Sequence, residues 1–246
     1  CATQGRCPPS LRDPVIFTLA GDHGVVSQGV SAYPQVVTAQ MVENFLNGGA
    51  AVNALARHAG ARVVVADLGV AAALPQHPAL RRCKVGPGTR DMTRGAAMTR
   101  AEALHAIEAG IALVEDERAR GADLIGTGEM GIGNTTAASA LVAALTGASP
   151  ARVTGPGAGV DEDGRRRKVE AVRRALEVNR PDPADPLETL AKLGAFEIAG
   201  LVGVILAGAV HRLPVVLDGF IAGAAALVAA RRKPDIRAPL LAARLW

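Results

Sequence analysis

Short apolar runs without alternation recur along this chain between stretches of helical periodicity. Five read as strands, over 15–20, 62–68, 122–126, 151–154 and 214–217. A strand buried on both faces loses the alternation of polar and apolar positions, so such runs point to interior strands. Six stretches read as helices, over 34–59, 99–120, 135–145, 163–179, 196–211 and 219–230. Strands separated by helices predict an α/β fold: a mostly parallel sheet with helices on both faces, a Rossmann-like three-layer arrangement. Ligands of such sheets bind beyond the carboxyl ends of the strands. The special turns of this sequence fall there: Gly21-Asp22-His23-Gly24 after the first strand, Asp67-Leu68-Gly69 after the second, Gly128-Glu129 after the third, Gly155-Pro156-Gly157 after the fourth and Asp218-Gly219 after the fifth. Segment 69–100, with Pro75, Pro78 and Pro87, reads as a long loop, functional or flexible. Segment 181–186 is a proline-rich connection, with Asp185 or Pro186 starting the next helix.

The most informative stretch is Gly128-Glu129-Met130-Gly131-Ile132-Gly133-Asn134-Thr135-Thr136. A glycine-rich turn between strand and helix lets backbone N–H groups approach a ligand, and the helix N-terminus favours an anion. Asn134, Thr135 and Thr136 suit a helix start and add side-chain hydrogen bonds. A phosphate is the natural guest. Glu129 conflicts with it, because a carboxylate beside an anion is unfavourable unless the substrate also brings positive charge or a proton to be moved. The loop therefore predicts a substrate with a phosphate at one end and a cationic or proton-donating centre nearby.

Other residues each carry two readings. Gly155-Pro156-Gly157-Ala158-Gly159 opens into the helix bearing Lys168, which can reach back to a phosphate; the alternative is a flexible turn before a solvated basic face. Asp22-His23 is an acid–base pair or a buried hydrogen-bonded pair that holds its loop. No second His or carboxylate stands nearby at metal-ligand spacing, so no metal is expected. Tyr33, the only tyrosine, lies with Gln40 and Met41 around a helix start; they can form an apolar slot for a flat ring or simply pack. Asp218 can cap the helix that follows or bond a ligand hydroxyl, and the cap is the favoured reading.

Composition narrows the classes. In 246 residues only 2% are aromatic, so Ala, Val and Leu must fill the core. The net charge of +4 is spread out, and the one basic run, Arg165-Arg166-Arg167-Lys168, lacks aromatic neighbours that stack on bases. No nucleic-acid partner is expected. Cys1, Cys7 and Cys83 form neither a metal spacing nor an even disulfide framework, and a reducing cytoplasm is the default location. Of the two most apolar helical runs, 195–210 carries Glu197 and 219–230 is short of the roughly 20 residues a bilayer requires, so no membrane association is expected. The irregular start and the abrupt stop after Pro239-Leu240-Leu241-Ala242 read as cut ends.

Taken in order, Gly21-Asp22-His23-Gly24-Val25, segments 34–41, 128–136 and 155–168, Gly194-Ala195-Phe196-Glu197-Ile198-Ala199-Gly200, and Leu217-Asp218-Gly219-Phe220 closely resemble nicotinate-nucleotide–dimethylbenzimidazole phosphoribosyltransferases, enzymes of cobalamin lower-ligand assembly. The resemblance runs from about Val15 to Pro239, and block 128–136 is its most specific part. It implies transfer of 5-phosphoribose from nicotinate mononucleotide to 5,6-dimethylbenzimidazole, giving α-ribazole 5′-phosphate and nicotinate, by a homodimer without cofactor. On the resemblance, Glu129 is the active-site glutamate. Gly131, Asn134, Thr135, Thr136, Gly155, Gly157, Lys168 and Asp218 belong to the mononucleotide site, and Tyr33, Gln40, Met41 and Met130 to the benzimidazole site. The implied chemistry agrees with the residues. The phosphate suits the glycine turns, and a carboxylate stabilises positive charge at the anomeric carbon. Leaving nicotinate needs no acid, whereas the incoming azole must lose its N–H proton to a base.

The family also carries a second glutamate, its expected general base, in a glycine-rich segment beyond the position matching Trp246. Its N-terminal Pro-Gly-Ser-Leu-type segment is reduced here to Cys7-Pro8-Pro9-Ser10-Leu11. The expected organisation is a remnant over 1–14 and a phosphoribosyltransferase core over 15–246 lacking the family's C-terminal region, with the small helical domain incomplete and turnover impaired. Two other readings stay open: a catalytically incomplete protein that binds a nucleotide or an azole, and a dinucleotide-dependent oxidoreductase. The latter is weakened by a first strand ending in Gly-Asp-His-Gly rather than Gly-x-Gly-x-x-Gly.

Overall fold

The computed structural model describes residues 3–5, 7, 11–237 and 240–243, so residues 8–10 of the N-terminal expectation and the last residues of the chain lie outside it. Its strands are β1 (Pro14–Gly21), β2 (Arg62–Gly69), β3 (Leu80–Arg82), β4 (Leu124–Met130), β5 (Val215–Leu217) and β6 (Leu240–Ala242). Its helices are α1 (Val36–Leu46), α2 (Ala51–Ala59), α3 (Arg100–Ala119), α4 (Asn134–Thr146), α5 (Pro150–Val153), α6 (Glu162–Asn179), α7 (Pro186–Leu193), α8 (Phe196–Val210) and α9 (Gly219–Arg232). The strands form one sheet in the order β3-β2-β1-β4-β5-β6, and every pairing is parallel. The chain builds outward from β1 in one direction, then returns and builds in the other. That reversal opens a crevice between the carboxyl ends of β1 and β4, where connections diverge to opposite faces.

Alternate residues of the strands feed two cores. Phe17 and Leu19 of β1 and Val64, Ala66 and Leu68 of β2 pack with α8. Ala20 and Val65 pack with Ala39, Val42 and Phe45 of α1. Side chains one residue apart in a strand face opposite ways, so both faces are covered and the three-layer expectation holds. Toward β4 and β5 a groove of about 780 Å³ runs along the sheet from Leu11 and Pro14 to Gly128 and Asp218.

Several elements differ from their sequence reading. The expected strand over 151–154 is the short helix α5, with Ser149 extended ahead of it and Pro150 in its first turn. Pro150 presets a helical φ and lacks the N–H that a sheet ladder would use. The turn at Gly155 therefore links two helices rather than ending a strand. The expected helix over 34–59 divides into α1 and α2 at Asn47-Gly48-Gly49, where Gly48 has φ +74. Loop 69–100 contains edge strand β3, and β6 was not foreseen; both are only 3 residues long, too short for a periodic signal. Cys7 is disulfide-bonded despite the odd cysteine count, and Cys83 is a free, half-buried thiol.

Two features hold the frame. Helices α3 and α8 touch backbone to backbone: a Cβ on Gly110 would lie 2.0 Å from the Gly200 carbonyl oxygen, and one on Gly203 would lie 2.0 Å from that of Ile107. Helix α8 also lies on β1 and β2, where a Cβ on Gly200 would meet Leu68 at 2.3 Å and Leu19 at 2.9 Å. The buried carboxylate of Glu117 is satisfied by three guanidinium groups, from Arg62, from Arg81 at 2.9 Å and from Arg120 at 3.4 Å. Gly110→Ala is expected to destabilise by ~1–3 kcal/mol through overpacking, lowering the thermal midpoint by roughly 2–12 °C. Gly223→Ala in α9, where a Cβ meets nothing within 4 Å, should be neutral or stabilising by up to about 1 kcal/mol. Thermal denaturation of the two variants side by side checks the contrast.

Candidate active site

Strand β1 ends on Gly21, and Asp22 and His23 follow it, both buried. Their backbone is pinned by Asp22 N–H donating to the Gly69 carbonyl at 3.0 Å, and by Thr89 and Gly24 amides donating to the Asp22 and Thr89 carbonyls at 2.9 and 3.0 Å. The His23 side chain does not pair with Asp22, as the sequence reading had it. Its Nε2 lies 2.7 Å from Oε1 of Glu197, in the first turn of α8. Asp22 instead accepts the Ala71 amide at 2.7 Å on Oδ2. Glycines make the room: a Cβ on Gly21 would lie 2.5 Å from Glu197 Oε2, and one on Gly131 would lie 2.8 Å from His23 Nε2.

Strand β4 continues through Gly128 and Glu129, so both stand at the strand's last positions rather than in the turn beyond. Gly133 forms the N-cap of α4 with φ +94, a conformation glycine adopts without strain, and turns the chain sharply into the helix. Asn134, the first helical residue, donates its side-chain amide to Glu129 Oε2. Thr136 is wholly buried and its hydroxyl is unpaired, so among the described residues it contributes packing rather than an open ligand contact.

Lys168 reaches the same place from α6. It is 2% exposed, and its Nζ donates to Thr135 Oγ1 at 2.8 Å. No carboxylate among the described residues pairs with it. Gly157, at φ +59, lets the loop close over this pair: a Cβ there would be 2.6 Å from Lys168 Nζ and 2.9 Å from Thr135 Oγ1. Gly155 is exposed with open space around it. Thr135, Gly157 and Lys168, distant in sequence, are thus brought into one corner with the N-terminus of α4.

On the other side of Glu129, Met130 and Met41 are half-buried against one apolar cluster with Ala20, Val42 and Phe45. Gln40 is exposed on α1, and Tyr33 is 51% exposed before it, so neither is packed into that cluster. Asp218 occupies the N-cap position of α9 but makes no capping hydrogen bond; the cap reading is overturned, and its exposed carboxylate is left for other contacts. Glu197 was the residue missed. Its signal was present: one carboxylate in the otherwise apolar helix from Phe196 to Val210.

Burial governs the electrostatics. Desolvation, then the charge of Glu197, push the Glu129 carboxyl up to about 7, against the opposing Asn134 hydrogen bond and His23 charge. Burial alone would lower the His23 imidazole, but the charge and hydrogen bond of Glu197, with Asp22 and Glu129 adding, hold it above its ordinary value. Burial lowers the Lys168 ammonium to about 8. The crevice therefore holds a buried ammonium without a carboxylate partner and a carboxyl raised to about 7. Among the described residues no group of three or more His, Cys, Asp or Glu side chains could hold a metal, and no helix is long and apolar enough to cross a membrane.

A family model described as phosphoribosyltransferase matches residues 1–245. A nicotinate-nucleotide–dimethylbenzimidazole phosphoribosyltransferase from Roseiflexus sp. strain RS-1 is 56% identical over 239 residues, which are 97% of this chain and 68% of that protein. The chain belongs to the nicotinate-nucleotide–dimethylbenzimidazole phosphoribosyltransferase family. A second relative of that name, from Desulforudis audaxviator, is 50% identical over 241 residues, again 68% of its length. Among solved structures, CobT from Thermus thermophilus superposes with a TM-score of 0.95 at 50% identity, covering 98% of this chain and 72% of that one. The strand order, the crevice and the glycine-rich approach described above are thus features of a phosphoribosyltransferase of this family.

Both buried groups should leave a mark on stability. Glu129 binds its proton more tightly folded than unfolded, so its contribution is full below about 4.5 and is lost as pH rises to about 7. Lys168 is the reverse: its folded value is depressed, so stability is highest above about 10.5 and is lost as pH falls through about 8. Lys168→Met is therefore expected to stabilise the protein by about 1–3 kcal/mol at pH 7. Glu129→Gln should flatten the loss between pH 4.5 and 7. Thermal melts across the acid-to-alkaline range check both; a destabilised Lys168→Met protein would show the lysine to be structural.

Proposed function

We propose that this chain transfers 5-phosphoribose from nicotinate mononucleotide to 5,6-dimethylbenzimidazole, releasing nicotinate and forming α-ribazole 5′-phosphate. The relatives' names support the reaction, and one observation supports the choice of residues: Lys168, without a carboxylate partner, and the near-neutral Glu129 flank the N-terminus of α4 in a single crevice. The mononucleotide phosphate sits on Thr135, Gly157 and Lys168, within reach of the α4 N-terminus and the open turn at Gly155. Asn134 orients Glu129, and the exposed Asp218 is assigned to the mononucleotide as well. The flat azole enters from the Met41 and Met130 side, past Gln40 and Tyr33.

In the reaction the azole nitrogen forms a bond to the anomeric carbon from the face opposite nicotinate. The ribose–pyridinium bond breaks, and its electron pair returns to the ring nitrogen and cancels the positive charge there. In-line displacement inverts the anomeric carbon. Within residues 15–246 the azole N–H proton passes to Glu129, whose pKa of about 7 leaves it basic enough to accept. The second glutamate implied by the resemblance is the competing acceptor, and near-inactivity of residues 1–246 with recovery on adding the family's C-terminal region would assign the role to it. Before that transfer the Glu129 carboxylate faces the positive charge that develops at the anomeric carbon. The reading includes residues 15–246 as one catalytic core and a homodimer in the cytoplasm; sedimentation of the purified chain and fluorescence localisation test the last two.

Incubation with both substrates, followed by chromatography, tests the reaction; absence of nicotinate and α-ribazole 5′-phosphate would overturn it. Calorimetry with mononucleotide then identifies the binding-protein alternative, which predicts uptake without product. Lys168→Ala should weaken the mononucleotide by about 1.5–3 kcal/mol, with nicotinate binding unchanged. Glu129→Gln should lower turnover by roughly 10²–10³-fold. Its mononucleotide binding should stay level or tighten, because a carboxylate near the phosphate is removed. Parallel loss of turnover and thermal stability would instead make Glu129 a structural residue.

A further inference from the structure

The reaction above makes no use of the buried pair His23–Glu197, though the fold is arranged around it. His23 is 1% exposed and Glu197 0%. An apolar pair would fill this volume at lower desolvation cost. Room for the pair comes from missing side chains on two neighbouring segments, at Gly21 beside Glu197 Oε2 and at Gly131 beside His23 Nε2. Gly131 stands two residues after Glu129 and adjoins the imidazole, so the pair lies directly against the loop that carries the reactive carboxyl. Nor is the pair satisfied as a structural ion pair would be: Glu197 Oε2 is buried without a hydrogen-bond partner among the described residues, as is Oδ1 of the neighbouring Asp22.

The charged groups around Glu129 are few. His23 faces it from the end of β1 and Glu197 from α8, with Asp22 beside His23 rather than beside Glu129. From α4 comes only the neutral Asn134, and Lys168 of α6 is directed to Thr135. Glu129 and Glu197 thus lie in one buried volume with the His23 imidazole, so the charge of each is felt by the others. Glu197 and His23 act on Glu129 with opposite sign, since one repels and the other attracts its negative charge.

We propose that His23 and Glu197 are positioning residues that act through Glu129, a buried charge pair that decides whether its carboxyl carries a proton when the azole arrives. The inference rests on the reading of Glu129 as the proton acceptor. Its test does not need turnover. The side-chain carboxyl of Glu129 is followed by carbon-13 NMR in the full chain and assigned by its loss in Glu129→Gln. Glu197→Gln removes the repelling carboxylate and also part of what keeps His23 protonated; the repulsion is the larger of the two, so the Glu129 midpoint should move down, by less than about one pH unit, whereas His23→Gln removes the attracting imidazolium and should move it up. Where product can be measured, the acid limb of the pH–rate profile should follow in the same two directions. Should Glu197→Gln fail to fold, Glu197→Asp, which keeps the charge but withdraws it by one methylene, should give a smaller downward shift. Midpoints that stay fixed, or that move the same way in both variants, would overturn the proposal whatever the enzyme's activity. Opposite shifts without any product would instead uphold the charge pair and fault the catalytic reading of Glu129.

Discussion

Everything at the head of this sheet depends on how buried charge is matched with buried charge. Two glutamates make the point. Glu117 is sunk in the protein and receives three guanidinium groups. Glu129 receives one neutral amide and faces another carboxylate, so its ionised form is barely tolerated. The residue type is the same, but Glu117 lies on α3 against the start of β2, whereas Glu129 lies near the carboxyl end of β4. The difference lies in which partners the topology delivers. A carboxylate so paired anchors strands, whereas a barely tolerated one takes and gives a proton near neutral pH. Lys168 repeats the logic with the opposite sign, as a buried cation without a carboxylate partner among the described residues.

The topology that delivers those partners is the reversal of winding at β1. The chain leaves β1 toward α1 and the strands on one side, and leaves β4 toward α4 and the strands on the other. No connection crosses the gap between them, which is why the ends of β1 and β4 can hold Asp22, His23 and Glu129 at close quarters. Close approach also requires atoms to be absent. Gly21, Gly131 and Gly157 each leave a space already taken by a polar atom of Glu197, His23 or Lys168. The glycines of the motif thus serve the protein's own polar groups as much as a bound phosphate.

Much of this was legible before any coordinates. Strands β1, β2 and β5 and helices α3, α4, α6, α8 and α9 stood out because unalternating apolar runs and long helical periods survive burial on both faces. The grouping of Thr135, Gly157 and Lys168 in one corner was legible because the two glycine turns and the lysine are local signals, each interpretable within a few residues. What was not legible required contacts between distant segments. His23 was matched with its sequence neighbour Asp22, whereas the structure gives it Glu197, 174 positions away. The edge strands are too short to carry a period, and residues 151–154 have apolar ends but a proline ahead of them that turns the chain into a helix. Asp218 sits where a cap belongs, and only side-chain geometry reveals that it does not cap.

The glycine contact between α3 and α8 has a consequence for how this protein can change. Helix α8 is a rigid lever with Glu197 at one end and Gly200 and Gly203 one to two turns along it, clamped between the sheet and the backbone of α3. A methyl group added at Gly110 would meet the Gly200 carbonyl oxygen at 2.0 Å, three residues along the same helix from Glu197. The helix crossing and the buried His23–Glu197 pair are thus borne by one element, and the packing of α3 sets the place from which the carboxylate reaches the imidazole.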